Sequence, residues 1–517
     1  MPENPRQEVP TPEMSVQRVA AIDLGASSGR VVGVSLNDGA VAIDAVHRFE
    51  NEAEERTVGD ASRWCWNMEK LQAGIEEGLS VVAGSGHIDS IGIDSWAVDY
   101  GLLDDRGELV APVTAYRDSR HQGTFDRLRK ALGEERIYAS TGIQFQPFNT
   151  LYQLAADAID PDRPLDQARR MLMMPDLIAN RLCGSVVGER TNASTTQCFD
   201  LAESRWITEF LDAAGVSEEL MPEVVSGESA APLGTLDPSI AGSCDLPMDT
   251  PVRATASHDT AAAIVAAPLE HVGDVFISSG TWSLVGMELD QPVRTEAARK
   301  ANFTNEAGVF GTVRFLRNVA GLWLLQECRR QWRSEGVDHD WPTLQAMAEK
   351  STPFQTVFDP DLPSLAAPGD MPRRIMDHCR RLGEPVPQDH GAMVRSILDS
   401  LALRYERVVR DLERVTGHAP GNLVVVGGGG SNHLLNRLAS ATTGMQVLVG
   451  PSEATALGNA LVQFASAEGI DSLPALRSHL PAARVGASPD DLPEVADRLD
   501  DVRARFDAQC HEPLIHE

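Results

Sequence analysis

Three turns rich in small and hydroxyl-bearing residues, each placed after a run of apolar residues, are the features of this chain that first suggest chemistry. The sequence reads DLGASSGR over 23–30, SSGTWS over 278–283 and VGGGGSN over 426–432. Glycine and other small residues let backbone N–H groups approach a phosphate closely, and serine and threonine hydroxyls add donors. The first two turns therefore indicate phosphate contacts. The third, at the end of a strand, suits an adenine–ribose unit.

Ordinary explanations stay open for each turn taken alone: a tight hairpin turn at 23–30 and a flexible glycine run at 427–430. The repetition of the same small, hydroxyl-rich chemistry at 278–283 makes coincidence less probable. The nucleotide-binding pattern GxxxxGK[ST] is absent, and the four lysines of the chain lie outside the glycine-rich turns. Phosphoryl transfer here would therefore rely on turn amides, hydroxyls, Mg²⁺ and arginine.

Two carboxylates stand where such chemistry would need them. Asp23 ends the first apolar run, where it could hold Mg²⁺ through water, because Mg²⁺ usually keeps several waters. Asp259 lies in Ser-His-Asp-Thr over 257–260, directly before the alanine-rich run 261–267, so it is expected near the start of a buried helix. A carboxylate at that position is either a helix N-cap or a base that accepts a proton from a hydroxyl group, and the spacing leaves both open.

Two further segments concentrate polar side chains. At the end of a predicted strand, Trp96 stands beside Asp94 and Asp99. A tryptophan there can stack on a sugar face, although a core tryptophan is the commoner explanation. The segment 116–120, YRDSR, packs charge into a short span, which a solvated helix start explains nearly as well.

The elements that must position these residues follow an α/β pattern. Residues 19–36 and 275–289 each predict a strand–turn–strand hairpin, so we expect an internal duplication with a boundary near 262–272. Residues 354–372, rich in Pro and Asp, predict an irregular excursion. Apolar periodicity predicts helices over 71–82, 397–415 and 454–465 and strands over 90–93 and 422–426.

Length and composition bound the class of protein. A chain of 517 residues predicts two large domains, and 42% hydrophobic with 23% charged residues is ordinary globular usage. The net charge of −30 repels polyanions, so we expect no nucleic-acid partner, and the absence of an apolar run of about 20 residues predicts no membrane span. Residues 1–15 lack a signal pattern and predict a disordered lead-in. Seven scattered cysteines without a CxxC pair favour a reduced, cytoplasmic protein.

Eight stretches together resemble the FGGY family of carbohydrate kinases, in the same order, over about 19–462. They are AIDLGASSGR, DYGLLD, YRDSR, TGIQFQPFNTLYQL, ASHDT, SSGTWSLVG, NVAGLWLLQ and GPSEATALGN. SSGTW and the first glycine-rich turn support the family, whereas TGIQFQPFNT and ASHDT are more specific and resemble the branch that acts on L-rhamnulose. The resemblance implies a two-domain, actin-like and ribonuclease-H-like α/β fold with an active site in the cleft between the domains.

The resemblance also implies domains and residue roles. The first domain, 16–265, would bind sugar and carry the first phosphate loop, and the second, 266–485, would carry the second phosphate loop and bind adenosine. The resemblance does not reach 486–517, a charged segment that we expect to be a surface helix or tail. The γ-phosphate of ATP, with Mg²⁺, would pass to the 1-hydroxyl of L-rhamnulose. Asp259 would be the proton acceptor and Asp23 the residue linked to Mg²⁺. The implied sugar contacts are Ala97, His258, Asp259, Thr260 and Asn318, and the implied ATP contacts are Ala26, Ser27, Ser28, Gly29, Arg30, Thr281, Gln326 and Gly428.

Two departures from the family pattern bear on these roles. Ala97 stands in SWAVD, where the family more often has glycine, and its methyl could reshape the sugar pocket. The turn after Gly428 reads GGSN where GGxQN is more usual. A kinase of another ketose or deoxy sugar, such as L-fuculose or xylulose, therefore stays an alternative. A non-sugar ATPase of the same fold is another, although it would not need the triplet 258–260.

Overall fold

Two mixed β-sheets organise the chain. The computed structural model describes residues 18–228, 232–366, 369–496 and 498–510, so the predicted lead-in over 1–15 lies outside the described residues. The strands of the first sheet are β1 (Arg18–Leu24), β2 (Ser28–Asn37), β3 (Ala40–Glu50), β4 (Ser90–Ser95), β5 (Gly234–Thr235) and β6 (Pro251–Arg253). The strands of the second sheet are β7 (Val275–Ser279), β8 (Trp282–Leu289), β9 (Thr304–Ala307), β10 (Val313–Ala320), β11 (Leu423–Val426), β12 (Val447–Val449) and β13 (Arg484–Ala487).

The two sheets share one topology. The strand order is β5-β6-β4-β1-β2-β3 in the first and β9-β10-β8-β7-β11-β12-β13 in the second. In each, an antiparallel hairpin (β1–β2 or β7–β8) has a parallel neighbour on the side of its first strand (β4 or β11), followed by a second parallel strand (β6 or β12). Both predicted hairpins are confirmed. The matching order is the arrangement expected of a duplicated unit, and we call the parts built on the two sheets the first and second lobe.

Helices cover the sheets and fill the spaces between them. Those of seven residues or more are α1 (Met68–Ala83), α2 (Gln122–Leu132), α3 (Glu134–Thr141), α4 (Thr150–Ala158), α5 (Met174–Cys183), α6 (Thr208–Ala214), α7 (Asp259–Val265), α8 (Trp323–Ser334), α9 (Trp341–Glu349), α10 (Met371–Leu382), α11 (His390–Thr416), α12 (His433–Thr443), α13 (Ala454–Glu468) and α14 (Leu499–Asp507). The predicted helices over 71–82, 397–415 and 454–465 lie within α1, α11 and α13. In the described part of the chain, no helix is both long and apolar enough to cross a membrane.

A shared core joins the two lobes. It combines apolar side chains of β1 and β2 with the alanine-rich helix α7, strands β7 and β11, and helix α13. A Cβ atom on Gly458 of α13 would overlap the carbonyl oxygen of Ala262 in α7. The two helices therefore cross with their backbones in contact, which small residues allow. This crossing is the main apolar connection between the sheets.

Two peripheral regions also pack against the second lobe. Residues between β4 and β5 reach its outer strands, where the hydroxyl of Tyr138 donates to the carbonyl of Phe303 over 2.9 Å. The chain after β13, predicted as a surface helix or tail, forms α14, and its Val502 and Phe506 are buried in the largest core cluster. These two residues, four apart, lie on one helical face, and this apolar spacing explains why the segment packs rather than projects.

Candidate active site

The ends of two adjacent parallel strands bring two carboxylates together. Asp23 of β1 and Asp94 of β4 are partners in the parallel register, and both are buried. Burial raises the pKa of Asp23 to about 6, although Arg30 opposes that shift, and Asp259 and Glu453 add to it. Burial, with the neighbouring Asp23 next in importance, raises the pKa of Asp94 well above its usual range. Ionised Asp23 therefore opposes the ionisation of Asp94.

The two predicted phosphate turns face each other. The hydroxyl of Ser27, in the turn between β1 and β2, lies 3.4 Å from the hydroxyl of Thr281, in the turn between β7 and β8. The first turn is closed by a hydrogen bond from the N–H of Gly25 to the carbonyl of Ser28 over 2.9 Å. Ser27 and Ser28 are exposed, Ala26 is half-buried and Gly29 is buried. The structure thus joins residues 254 positions apart at one point of the cleft.

Arg30 lies between carboxylates of both lobes. Its Nε is 2.8 Å from Asp23 Oδ2, and its terminal nitrogen donates to Glu453 Oε2 over 2.7 Å. Arg48 of β3 pairs with the other oxygen of the same Glu453. The expected ATP contact is therefore held by two acidic side chains in this structure.

Asp259 is the first residue of α7, but it is not the N-cap, which is His258. The carboxylate of Asp259 accepts hydrogen bonds from the N–H of Thr260 over 2.6 Å and from its hydroxyl over 3.2 Å. Its side chain keeps 31% of its surface accessible, whereas Thr260 is buried. Of the two explanations that the sequence left open, the N-cap does not describe Asp259, and a carboxylate free to meet a ligand fits the geometry.

A buried acid, Glu189, holds the segment before Asp259 in place. Glu189 accepts from the N–H of Ser257 over 3.0 Å and from its hydroxyl over 2.8 Å, and from the N–H of Thr191 over 2.9 Å. Burial raises the pKa of Glu189 against these hydrogen bonds. The N–H of Ser95 at the end of β4 donates to the carbonyl of Ser257 over 2.9 Å. The backbone on which Asp259 stands is thereby fixed from two sides.

The imidazole of His258 belongs to a buried charged group. Its Nδ1 is 3.0 Å from a terminal nitrogen of Arg314 and 3.4 Å from Glu306, and its Nε2 is 3.4 Å from Asp259. Burial disfavours the charge on Glu306, but the attraction of Arg314 and the contact with His258 together outweigh it and lower the pKa of Glu306. His258 thus connects Asp259 with an ion pair inside the second lobe.

A cavity of about 330 Å³ lies between the lobes and is lined by both Thr281 and Asn318. The backbone and side-chain N–H groups of Asn318 donate to Gln144 Oε1 over 2.9 and 3.3 Å. Four aromatic side chains also line the cavity: Tyr116, Phe148, Trp282 and Trp323. The guanidinium of Arg117 stacks 4.2 Å from the Trp323 ring, and Phe148 packs 6.0 Å from Trp282.

Trp96 lies elsewhere. It is buried against Trp66, with ring centroids 4.3 Å apart, and it donates to Asp99 Oδ2 over 3.0 Å. The possible sugar-stacking role is therefore not supported, and the core alternative is correct. The cavity aromatics were missed as candidates, although Tyr116 and Phe148 lie in the quoted stretches YRDSR and TGIQFQPFNTLYQL.

Ala97 lies in the loop that follows β4. The N–H of its neighbour Trp96 donates to the carbonyl of Leu24 over 3.1 Å, so the loop is tied to the end of β1. Ala97 is half-buried. Val98 has a φ of 70°, a left-handed conformation that a β-branched residue rarely adopts. Its carbonyl accepts from the Thr150 hydroxyl over 2.8 Å, which helps hold that conformation.

Gln326 and Gly428 lie on the second lobe beside the second turn. Gln326 is half-buried on the first turn of α8. Gly428 is exposed, and a Cβ there would meet nothing within 4 Å, so there is open space above it. A Cβ on Gly429 would overlap the hydroxyl of Ser279. The glycine run thus serves packing at Gly429 and leaves an open surface at Gly428.

The metal prediction rests on strand-end carboxylates alone. Among the described residues, no group of three or more His, Cys, Asp or Glu side chains is arranged to hold a metal ion. Asp94 Oδ1 is buried and accepts no hydrogen bond within the described part of the chain, and beside it Asp23 Oδ2 pairs with Arg30 alone. Such oxygens fit Mg²⁺, which is commonly held by one or two carboxylates together with water and substrate phosphates.

The chain has two lobes of one topology, two turns that face each other and a half-buried carboxylate at the cleft. Together these features define a two-domain phosphotransferase of the actin-like class. The model of the FGGY family N-terminal domain matches residues 19–266, and that of the C-terminal domain matches 275–467. The chain belongs to the FGGY family of carbohydrate kinases. It is therefore an ATP-using carbohydrate kinase, and the predicted fold class is confirmed.

Proteins similar over most of their length include several rhamnulokinases. That of Pectobacterium carotovorum subsp. carotovorum (strain PC1) is 40% identical over 479 residues, covering 90% of this chain and 92% of its own. That of Bacillus subtilis (strain 168) is 37% identical over 455 residues, covering 88% and 91%. Among solved structures, a xylulose kinase from Rhodospirillum rubrum has a TM-score of 0.76 at 19% identity, covering 95% of this chain and 98% of its own. That likeness shows the fold alone.

Proposed function

We propose that this carbohydrate kinase transfers the γ-phosphate of Mg·ATP to the 1-hydroxyl of L-rhamnulose. The observation that carries the choice of sugar is the similarity to rhamnulokinases, at 35–40% identity over about nine tenths of the chain. The xylulose kinases of similar fold are 15–19% identical to this chain, too distant to favour their sugar.

Asp259 is the proposed base. It accepts the proton of the 1-hydroxyl as the sugar oxygen forms its bond to the γ-phosphorus, and the bond between that phosphorus and the β–γ bridging oxygen breaks to leave ADP. The hydrogen bonds from Thr260 orient one carboxylate oxygen of Asp259. The carboxylate is partly accessible, which leaves its other oxygen for the substrate. Glu189 supports the role by fixing the preceding backbone.

The nucleotide is proposed to lie across the two turns. Ala26, Ser27, Ser28, Gly29 and Arg30 would meet the phosphates from the first lobe, and Thr281 from the second. Gln326 and the open backbone at Gly428 would meet the adenosine part. Asp23, with Asp94 beside it, would hold Mg²⁺, which when bound offsets the charge of the β- and γ-phosphates.

Sugar recognition is proposed to combine polar and apolar contacts. His258, Thr260 and Asn318 would hydrogen-bond the hydroxyl and carbonyl groups, and Ala97 would lie against the carbon chain. The aromatic wall of the cavity, including Phe148 and Trp282, supports an apolar contact for the terminal methyl of a 6-deoxy-ketose. Cleft closure would exclude water, which would otherwise compete as the phosphate acceptor.

Two organisational proposals accompany the function. The domain limits are 16–265 and 266–485, supported by the matching sheet topologies on either side of α7. A cytoplasmic location is supported by the need for ATP as the phosphate donor.

The test is an assay of ADP release across L-rhamnulose, L-fuculose, D-xylulose and glycerol, each with and without excess chelator of Mg²⁺. We expect the highest kcat/KM with L-rhamnulose, a mild decrease with close deoxy-ketoses and a steep one with glycerol. Misplaced hydroxyls leave buried polar groups unpaired, which costs more than a missing methyl. A preference for D-xylulose would refute the sugar assignment. A rate of ADP release that no ketose changes would favour an ATPase without a sugar substrate.

A further inference from the structure

Glu453 occupies the N-cap position of α13, but it serves another part of the molecule. In the described structure its side chain accepts no capping hydrogen bond from the first turn of that helix. The carboxylate instead reaches the first lobe, where one oxygen accepts from Arg30 over 2.7 Å and the other pairs with Arg48. The side chain is 17% exposed. Glu453 thus makes no local capping hydrogen bond and instead contacts residues about 400 positions earlier in the sequence.

Arg30 is shared between Glu453 and Asp23. Its Nε lies 2.8 Å from Asp23, and a terminal nitrogen donates to Glu453. Asp23 is almost fully buried, whereas Arg30 keeps 28% of its side chain accessible. The guanidinium therefore has a partner on each side and an accessible surface at the cleft. Charge-assisted hydrogen bonds of this kind fix orientation as well as adding energy.

The helix that carries Glu453 is anchored to the first sheet. Asn459 donates to Asp94 Oδ2 over 2.7 Å, and Gln463 donates to the carbonyl of Ala20 over 3.1 Å. The hydroxyl of Ser90 donates to Gln463 Oε1 over 2.7 Å. Asn459 and Gln463 are fully buried, so these bonds are shielded from water. The start of α13 is consequently fixed relative to the strand ends that carry Asp23 and Asp94.

We propose that Glu453 is a positioning residue for nucleotide binding. It holds the Arg30 guanidinium toward the phosphate turn and weakens the ion pair between Arg30 and Asp23. The proposal rests on the proposed function, in which Arg30 contacts phosphate. Without the charge at position 453, Arg30 pairs with Asp23 alone. The phosphates then lose a donor and the strand-end carboxylate is neutralised, so nucleotide affinity falls while ketose affinity is retained.

The experiment compares the wild type with Glu453→Gln by calorimetry, using Mg²⁺ with a non-hydrolysable ATP analogue in one titration and L-rhamnulose alone in another. We expect about tenfold weaker binding of the analogue, equal to about 1.4 kcal/mol, and L-rhamnulose binding within about twofold of the wild type. Glu288→Gln is the matched control. Glu288 is 18% exposed and pairs with Arg477 at 3.0 and 3.2 Å, at the far end of β8 from the turn, so analogue binding should not change.

Two more variants separate positioning from stability. Glu453→Asp keeps the charge on a shorter side chain and should recover part of the lost affinity for the analogue. If Glu453→Gln does not fold, Glu453→Asp tests the proposal in its place. Arg48→Gln leaves the Arg30 contact in place and should weaken analogue binding by about twofold or less. Unchanged analogue binding in Glu453→Gln, or an equal loss for the analogue and L-rhamnulose, would overturn the proposal. A wild type that does not bind the analogue would instead refute the proposed function.

Discussion

Asp259 combines an accessible carboxylate with a rigid backbone. Its oxygen accepts from Thr260, and the preceding Ser257 is held by the buried Glu189. Asparagine keeps an oxygen for the Thr260 N–H but cannot take a proton from a hydroxyl. We therefore expect Asp259→Asn to lower kcat roughly 10²-fold or more, with much less change in the dissociation constant of L-rhamnulose. Steady-state rates and calorimetry measure the two quantities, and a kcat near that of the wild type would remove Asp259 from the base role.

Ala97, the proposed contact to the carbon chain of the sugar, stands where the family pattern more often has glycine. It is half-buried between Trp96, tied to β1, and Val98, which is held in a left-handed conformation. Removing one methyl from an apolar contact changes discrimination by about 1–3 kcal/mol at most. Ala97→Gly should therefore change the ranking of kcat/KM among L-rhamnulose, L-fuculose and D-xylulose more than the rate with the best sugar. A variant with the wild-type ranking but a uniformly lower rate would show that Ala97 acts on the loop and not on the sugar.

At the scale of elements, the crossing of α7 and α13 depends on one glycine. A Cβ on Gly458 would overlap the carbonyl oxygen of Ala262, a backbone atom that cannot rotate away. Gly458→Ala should therefore lower the free energy of unfolding by about 1–3 kcal/mol, as overpacking does, despite the better helix propensity of alanine. Urea denaturation measures this change.

Gly123 provides the comparison. It lies in α2, and a Cβ there would meet nothing within 4 Å. Gly123→Ala should leave the free energy of unfolding unchanged or raise it by up to about 1 kcal/mol. Equal effects of the two substitutions would mean that helix propensity, and not backbone contact, decides the outcome at Gly458.

Local patterns predicted both central hairpins and the longest apolar helices, because these depend on nearby residues. The apolar–turn–apolar pattern over 19–36 and 275–289 was enough for both hairpins, and apolar periodicity for α1, α11 and α13. Partnerships across the chain left no local signal. Nothing in the sequence around Glu189 indicates that it holds Ser257, and Trp96 has the same sequence pattern whether it faces a ligand or Trp66. The burial of Phe506 left no local signal for the same reason, since it is apolar in a charged segment and its partners are distant.

At the scale of the whole molecule, the lobes touch on both sides of the candidate site. On one side, helices α7 and α13 cross within the shared core. On the other side, at the cavity, the guanidinium of Arg117 stacks on Trp323. Ligands that contact both lobes should therefore reduce the opening motion. We expect small-angle scattering to give a smaller radius of gyration with L-rhamnulose plus a non-hydrolysable ATP analogue than without ligands. An unchanged radius at saturation would contradict a closing cleft, and each ligand added alone is the control.

The facing turns allow a direct test of where the nucleotide binds. The Ser27 and Thr281 hydroxyls are 3.4 Å apart, a contact that leaves no room for a phosphate group between them. The turns must therefore separate to admit the nucleotide. Because the two side chains touch at their hydroxyls, a chain carrying both Ser27→Cys and Thr281→Cys should cross-link under mild oxidation, lose nucleotide binding and regain it on reduction. Bound ATP analogue should slow the cross-linking, while each single cysteine variant should show no reversible loss. Cross-linking at the same rate with saturating analogue would mean that the nucleotide does not lie between the two turns.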